Sequence, residues 1–244
     1  MGRRWGICIA AALERGVAGR PSRRECSRVP TPENPLALAD WRLRVANLYS
    51  EVRRAPPGRE PDACGAFRRD RNHLFANHAE TPLEPTARVA FRGLSYYPYD
   101  LRWRVRGTVD RTVAPLSHAV TLSGDGPVEF TRVALVRFRC PPGDAALSLY
   151  WLEGYGGGLF LPFRDATCGR ITYPSGRYLI DTVKGANLGL AGDEIVLDFN
   201  YAYNPSCAYN DRWACPLAPR ENWLAFEVPV GEQNHERQGG QPGA

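Results

Sequence analysis

The residues whose types and spacing could do chemistry are concentrated between residues 159 and 222. An Arg-Asp pair follows an aromatic-rich segment there, and a loop over residues 201–222 holds tyrosines, asparagines and cysteines. A loop of about twenty residues inside a domain is usually functional or packed against itself. Arginine can clamp an anionic ligand, while asparagine and tyrosine fix its orientation. We therefore predict that the ligand-binding residues are Arg164, Asp165, Tyr173, Arg177, Tyr178, Asn200, Asn204 and Asn222.

The same region supplies candidates for acid–base catalysis. If the protein is an enzyme, we expect a hydrolytic or lyase-like step in which Asp198 acts as acid or base. Arg164 and Arg177 then stabilise charge, and Tyr203 or Tyr209 donates a proton. The alternative is structural, because these side chains also satisfy buried backbone groups and ion pairs. Convergence of Arg164, Arg177 and Asp198 on one pocket favours binding, whereas direct Arg–Asp pairing on a flat surface favours the structural interpretation.

Motifs for metals, nucleophiles and phosphate are weak. The chain has 7 cysteines and no CxxC pair. Cys207 and Cys215 make a weak zinc pair that needs a histidine or carboxylate nearby. His73 and His78 miss the spacing that places two ligands on one helix face. No GxSxG motif occurs, and Gly154–Gly158 lacks the third glycine and the following helix of a phosphate loop, so we predict a hairpin turn there. These patterns specify no cofactor.

Composition and charge exclude several broad classes. The 244 residues are 43% hydrophobic and 23% charged, which is ordinary for a globular protein. No apolar run approaches the roughly 18 residues of a membrane helix. The net charge of +5 lies mostly in residues 1–70, which hold 14 basic and 8 acidic residues. Because the rest of the chain is nearly neutral, we expect neither a nucleic-acid nor a membrane partner.

The cysteine count and an alternating arginine run support two further expectations. The odd number of cysteines, without close pairs, indicates a cytoplasmic protein rather than a disulfide-stapled secreted one. Arg102, Arg104 and Arg106 alternate with apolar residues, and Trp103 lies on the opposite face of the predicted strand. We therefore expect these arginines to form a solvated strand face rather than a nucleic-acid surface.

The N-terminal part predicts two helices. Residues 1–34 lack periodicity and are expected to be a disordered extension. Asn34-Pro35 is a typical helix start, and apolar residues then recur at helical spacing until Pro56. A second helix is predicted over Ala63–His78, with its buried side formed by Phe67, Leu74 and Phe75.

From Arg88 onward the apolar period changes to two, which predicts strands. Glycine- and proline-rich turns separate these strands at roughly 8–12-residue intervals, which is typical of an antiparallel sandwich or barrel. We predict a mainly β fold: one antiparallel β-sandwich or partly closed barrel over residues 35–232, with two N-terminal helices and a disordered tail over 233–244. The predicted strands cover residues 88–93, 101–109, 116–123, 128–138, 146–152, 159–163, 171–173, 177–183, 194–200 and 223–230.

A series of motifs in a fixed order resembles a known family. The motifs are LFLPFRD, TY, GRY, DFNxAYNPxCAY, CPLxPxEN and a closing Gly231-Glu232. The chain resembles a bacterial and archaeal family known as domain of unknown function 1684, over about Trp41 to Glu232. The resemblance implies no substrate, cofactor or catalytic residue, but it implies that residues 1–34 lie outside the domain.

Three functions remain open from the sequence. The first is a soluble protein, either a simple binder or an enzyme, that binds a small polar or anionic molecule between the segment 159–183 and the loop 200–222. The second is a non-catalytic structural or interaction module whose loop packs against itself. The third is metal binding through Cys207 and Cys215.

Overall fold

The structure is a computed structural model of the chain that describes residues 34–122, 126–154 and 157–235. The predicted disordered extension lies outside the described residues except for Asn34, and the predicted tail is described only as far as His235. No helix in the described ranges is long and apolar enough to cross a membrane.

The two predicted helices are present. Helix α1 covers Pro35–Arg54 and begins at the predicted cap, where the Asn34 side chain accepts a hydrogen bond from the Ala37 amide at 3.0 Å. Helix α2 covers Glu60–Asn77 and begins three residues before the predicted start. A short helix α3 covers Pro85–Ala90. It replaces the first half of the predicted strand 88–93, and residues 91–93 are irregular chain. Proline is favoured at the first helical position, and Val89 is exposed rather than buried.

Within the described residues, eight strands form one antiparallel sheet, which confirms the mainly β fold with N-terminal helices. The sheet order is β6-β5-β4-β3-β1-β8-β7, and β2 pairs with β3 off this path. The sheet is curled into a half-barrel, so the partly closed barrel describes it better than a sandwich. The strands are β1 Arg104–Asp110, β2 Ser117–Leu122, β3 Gly126–Cys140, β4 Gly143–Leu152, β5 Gly158–Phe163, β6 Arg177–Asp181, β7 Leu190–Ala191 and β8 Glu194–Asp198.

The two faces of the sheet differ as the alternation predicts. One face carries the main core, which includes Val136, Leu147, Leu161, Leu197 and Phe199. On the other face, Arg104 pairs with Asp198 at 3.1 Å, and Arg106 pairs with Glu194 at 3.1 Å. Arg102 instead lies in a 3₁₀ turn over Leu101–Trp103, because the Asp100 side chain accepts from its amide and caps the turn.

In the described structure, two predicted strands are irregular chain instead. Residues 171–173 form part of a turn, and the segment 223–230 is extended without joining the sheet. The reason in the second case is a side-chain clamp. The Val228 amide donates to the Asp165 carboxylate at 3.2 Å, and the Val228 carbonyl accepts from Arg177 at 3.0 Å. Side chains thus replace the backbone partner at Val228. Earlier in the segment, the Leu224 amide still donates to the Arg164 backbone carbonyl at 2.8 Å, just beyond β5.

The helices are joined to the sheet through the loop that follows β8. In one cluster, Val45 and Tyr49 of α1 and Phe67 of α2 pack against Tyr201. In a second cluster, Phe75 of α2 packs against Tyr209, with ring centroids 5.1 Å apart. The start of the loop 201–222 is therefore enclosed between the helices and the sheet in a single domain.

Candidate functional site

A buried carboxylate, Glu232, organises the space between the helices and the loop. It pairs with Arg71 of α2 at 2.9 Å and accepts from the Asn204 side-chain amide at 3.2 Å. The Tyr209 hydroxyl also donates to it. The Glu232 side chain is only 1% exposed, and that of Arg71 is 9% exposed. Four side chains from three parts of the chain therefore meet at one buried ion pair.

The electrostatics of this pair follow from its burial. Burial raises the pKa of Glu232, against the attraction of Arg71. Burial lowers the pKa of Arg71, but the Glu232 carboxylate, with smaller contributions from Tyr96 and Tyr49, outweighs that effect and raises it. Arg71 stays charged, because a guanidinium is not deprotonated in proteins, and the cost of burying the pair falls on Glu232.

A small cavity adjoins the ion pair, and we call it the helix–loop cavity. Its volume is about 40 Å³. It lies between α1, α2 and the start of the loop 201–222. Aromatic and polar groups share its wall, as is typical of sites for small molecules. The cavity is lined by Trp41, Val45, Tyr49, Arg71, Phe75, Pro82, Lys184, Tyr203, Asn204, Ser206 and Tyr209.

Three polar atoms on residues of this cavity are buried without a hydrogen-bond partner among the described residues. They are Arg71 Nε, the Tyr203 hydroxyl and Asn204 Oδ1. A buried polar atom without a partner costs about 1–3 kcal/mol. The Asn204 amide nitrogen is already used, because it donates to Glu232 and to the Gln233 carbonyl at 2.8 Å. Three such atoms around one cavity leave a set of unused donors and acceptors that a small polar molecule can satisfy.

A larger depression lies on the outer face of the sheet and has a volume of about 630 Å³. Its arginines already have partners: Arg106 pairs with Glu194, and Arg139 pairs with Asp144 at 3.4 Å. This surface is therefore a network of exposed ion pairs in which carboxylates of the protein already bind the arginines. We therefore take the smaller helix–loop cavity as the candidate site.

Several predicted site residues form internal clamps instead of lining this cavity. Arg177 is fully buried and donates to Asp165 at 2.8 Å. It also donates to the Val228 and Glu232 carbonyls at 3.0 and 3.2 Å. This is the direct Arg–Asp pairing that the structural interpretation expects, but in the interior of the protein.

Asp198 and Asn200 lie together at the end of β8. Their side chains contact each other and the chain at the start of β1. Asp198 pairs with Arg104 and accepts from the Asn200 side-chain amide at 2.8 Å. Burial raises the pKa of Asp198. Asn200 also accepts from the Asp100 amide at 2.8 Å, which fixes the chain before β1. Arg164, Arg177 and Asp198 thus belong to three separate groups of contacts.

Two further predicted residues connect the sheet to the end of the loop. The Arg164 guanidinium stacks 4.1 Å from the centre of the Trp223 ring. Asn222 accepts from the Ser148 amide at 2.7 Å and donates to the Pro162 carbonyl at 2.7 Å, so its amide bridges β4 and β5. Each of these contacts holds neighbouring segments together.

The cysteine pair lies beside the cavity. The Cys207 amide donates to Cys215 Sγ at 3.4 Å, and the Tyr173 hydroxyl donates to Cys207 Sγ at 3.6 Å. The Tyr178 hydroxyl donates to the Pro216 carbonyl next to Cys215. Among the described residues, no group of three or more histidine, cysteine or acidic side chains could hold a metal ion.

The sequence prediction and the cavity overlap in part. Tyr203, Asn204 and Tyr209 were predicted as site residues and line the cavity together. Arg71 and Glu232 were not predicted. The sequence signal for Arg71 is that a charged residue interrupts the apolar stripe of Phe67, Leu74 and Phe75. Glu232 was visible only as the last residue of the family motifs.

Comparisons with known proteins identify the family. The model of a family described as protein of unknown function (DUF1684) matches residues 89–233. The solution NMR structure of an uncharacterized protein from gene locus rrnAC0354 of Haloarcula marismortui is 38% identical to the chain. That similarity covers 69% of this chain and 91% of the other, with a TM-score of 0.51. Comparison with the curated proteins gives no match.

The family match includes most of the loop side of the cavity. Tyr203, Asn204, Tyr209 and Glu232 lie inside residues 89–233, whereas Arg71 precedes them. The motifs that carried the resemblance lie in the same range. The chain therefore belongs to the DUF1684 family.

Proposed function

We propose that the protein binds a small, neutral, polar molecule in the helix–loop cavity. The observation that carries this proposal is the set of three unpartnered buried atoms on its lining residues: Arg71 Nε, the Tyr203 hydroxyl and Asn204 Oδ1. Burying each of these atoms without a partner is costly, so a ligand that hydrogen-bonds to them removes that cost. Exposed polar groups offer no such gain, because water already pairs with them.

The chemistry of the three atoms defines the ligand. Arg71 Nε–H only donates, and Asn204 Oδ1, a carbonyl oxygen, only accepts. The Asn204 amide nitrogen already has its partners. Burial raises the pKa of Tyr203 well above its usual value, so its hydroxyl stays protonated at neutral pH and can donate or accept. The ligand must therefore carry both an acceptor and a donor, as hydroxyl and amide groups do.

The charges around the cavity favour a neutral ligand over an anion. Arg71 is paired with Glu232, and Lys184 is paired with Asp181 at 3.1 Å. Each positive charge on the lining is thus balanced by a carboxylate. The volume of about 40 Å³ limits the buried part of the ligand to a few heavy atoms. A short polyol or amide fits these limits.

The test is an NMR titration of the ¹⁵N-labelled full chain with acetamide and ethylene glycol, and separately with formate and phosphate. We expect saturable shifts at the cavity residues with the neutral probes. Tyr203→Phe removes one unpartnered hydroxyl, so it should leave the fold intact and raise the Kd about fivefold, the equivalent of about 1 kcal/mol.

Tyr99→Phe is the matched control, because the Tyr99 hydroxyl is also buried without a partner but lies outside the cavity lining. It should bind the neutral probes like the wild type. Equal affinity of the Tyr203→Phe variant, or shifts with the anions alone, overturns the proposal. Absence of any saturable shift supports a loop that is merely packed.

A further inference from the structure

Cys207 and Cys215 face each other at the outer side of the loop that lines the helix–loop cavity. The Cys207 amide donates to Cys215 Sγ at 3.4 Å, and the Cys207 thiol also donates to that sulfur. Both side chains are partly exposed. The two thiols therefore lie next to each other and are within reach of small reagents.

The surroundings give the two sulfurs different roles. The hydrogen bond from the Cys207 thiol lowers the pKa of Cys215, and the Lys184 ammonium lowers it further, against the effect of burial. The same hydrogen bond and burial raise the pKa of Cys207. Asp181, paired with Lys184, and the hydroxyls of Tyr173 and Tyr178 are the other titratable groups around the pair. Cys215 is thus the sulfur that carries the thiolate, and Cys207 is the sulfur that keeps its proton.

The cysteines elsewhere in the described chain lack this arrangement. Cys64 is buried in the helical cluster, where burial raises the pKa of its thiol to about 11. Cys140 is also buried, and burial raises its pKa. Cys168 is partly exposed, and its sulfur accepts from the Asp165 amide at 3.5 Å and from the Thr172 hydroxyl at 3.7 Å. A thiolate is the reactive form of cysteine, so burial disfavours the reactive form of Cys64 and Cys140.

We propose that Cys207 and Cys215 form a dithiol that low-molecular-weight disulfides oxidise reversibly to a Cys207–Cys215 disulfide. The Cys215 thiolate attacks a sulfur of the reagent RSSR, forming a Cys215–SR mixed disulfide and releasing RS⁻. The Cys207 sulfur then attacks Cys215, which forms the Cys207–Cys215 disulfide and releases a second RS⁻. The protons of the two thiols end on the two RS⁻ ions, so the reagent is reduced to two RSH molecules.

The first experiment treats the reduced full chain with bis(2-hydroxyethyl) disulfide and maps the product by trypsin and mass spectrometry. Trypsin cleaves after Arg212, so the two cysteines fall in separate peptides, 185–212 and 213–220. The expected product is these two peptides joined, with the loss of two hydrogens, and separated again by dithiothreitol. Cys8 and Cys26 fall in other peptides and do not interfere.

The variants test the order of the two steps. Cys207→Ala and Cys207→Ser should both trap the mixed disulfide on Cys215, because the resolving sulfur is gone. Cys215→Ala should leave Cys207 unmodified. Cys168→Ser, the matched control, should form the cross-link at the wild-type rate. Modification of Cys207 ahead of Cys215, or no cross-linked peptide in the folded wild type, overturns the proposal.

A rate measurement tests the activation of Cys215 separately. An ordinary free thiol is only a few per cent ionised at pH 7, so a lowered pKa should make iodoacetamide labelling of Cys215 about tenfold faster than that of a free thiol such as N-acetylcysteine amide. Lys184→Gln should slow the labelling of Cys215 and leave the labelling of Cys168 unchanged. A Cys215 rate equal to that of the free thiol contradicts the proposed attacking role.

Discussion

Replacing Arg177 with methionine should destabilise the protein strongly. Arg177 is fully buried, and its guanidinium donates to the Asp165 carboxylate and to backbone carbonyls of the segment 228–232. Methionine fills similar space but supplies no donor. The variant therefore leaves a buried carboxylate and several carbonyls without their partners.

The magnitude follows from the kind of interaction that is lost. Removing one partner of a buried ion pair typically costs about 3–5 kcal/mol. A natural domain has only about 5–15 kcal/mol of stability in total. For a chain of this size, the loss corresponds to a fall in Tm of roughly 6–20 °C. The segment 228–232 should loosen first at Val228 and Val230, whose carbonyls lose the Arg177 donor, while Glu232 stays held by Arg71.

The assay is urea unfolding followed by tryptophan fluorescence, with calorimetry for Tm. Arg170→Met is the matched control, because Arg170 pairs with Glu227 at 2.9 Å but both side chains are exposed. It should change the free energy of unfolding by less than about 1 kcal/mol. The double variant Arg177→Met/Asp165→Asn should lose less than the sum of the two single variants, because no unpaired carboxylate then remains.

A result within about 0.5 kcal/mol of the wild type for Arg177→Met refutes this reasoning. Together with a loss of ligand binding, such a result would support the prediction from the sequence that Arg177 is a ligand-binding residue. Strict additivity in the double variant would refute the direct coupling of Arg177 to Asp165.

Two further predictions concern a hydrogen bond of the sheet and two glycines, one in the sheet and one in α2. The Tyr150 hydroxyl donates to the Glu221 carboxylate at 2.8 Å. Partial burial raises the pKa of Glu221, but hydrogen bonds from the Glu221 backbone, Tyr150 and His118 outweigh it and lower the pKa. Tyr150→Phe should therefore cost about 1.5–3 kcal/mol in unfolding free energy at pH 7. That cost should shrink as the pH falls from 4.5, the ordinary pKa of a glutamate, through the lowered pKa of Glu221. A stability difference between wild type and variant that does not change with pH contradicts this prediction. Gly107→Ala should cost about 1–3 kcal/mol, because a Cβ there overlaps the Val136 side chain. Gly65→Ala, within α2 and 3.5 Å from the Arg69 guanidinium, should instead stabilise by about 0.5–1 kcal/mol; urea unfolding of both variants checks the opposite signs.

Much of the fold could be predicted from the sequence because its signals are local. Asn34-Pro35 and the stripe that follows place the start of α1 correctly, since a cap and a helical period need only neighbouring residues. The alternation in β1 and β3 likewise predicts strands with one buried face. In β4 the structure buries both faces from Leu147 to Tyr150. Where tertiary contacts override the pattern, as in the segment 223–230, the same reasoning predicts a strand that does not form.

The candidate site was predictable only in part. The sequence predicts Tyr203 and Asn204 as site residues because they lie in a long polar loop, and they do line the helix–loop cavity. Arg164, Arg177 and Asp198 belong to the same polar grouping in the sequence, but the structure distributes them among separate contacts. A polar cluster in the sequence does not indicate which of its members share a cavity.

The sequence by itself determined the family, the helical start and the strand-rich remainder of this protein. Only the tertiary structure decided which buried charges are partners. Arg71 and Glu232 are 161 residues apart, and Arg177 binds carbonyls more than fifty residues downstream. A helix or strand is set by the period of adjacent side chains. The partner of a buried charge depends on which distant segments pack together, because burial makes each unpaired charge too costly to remain.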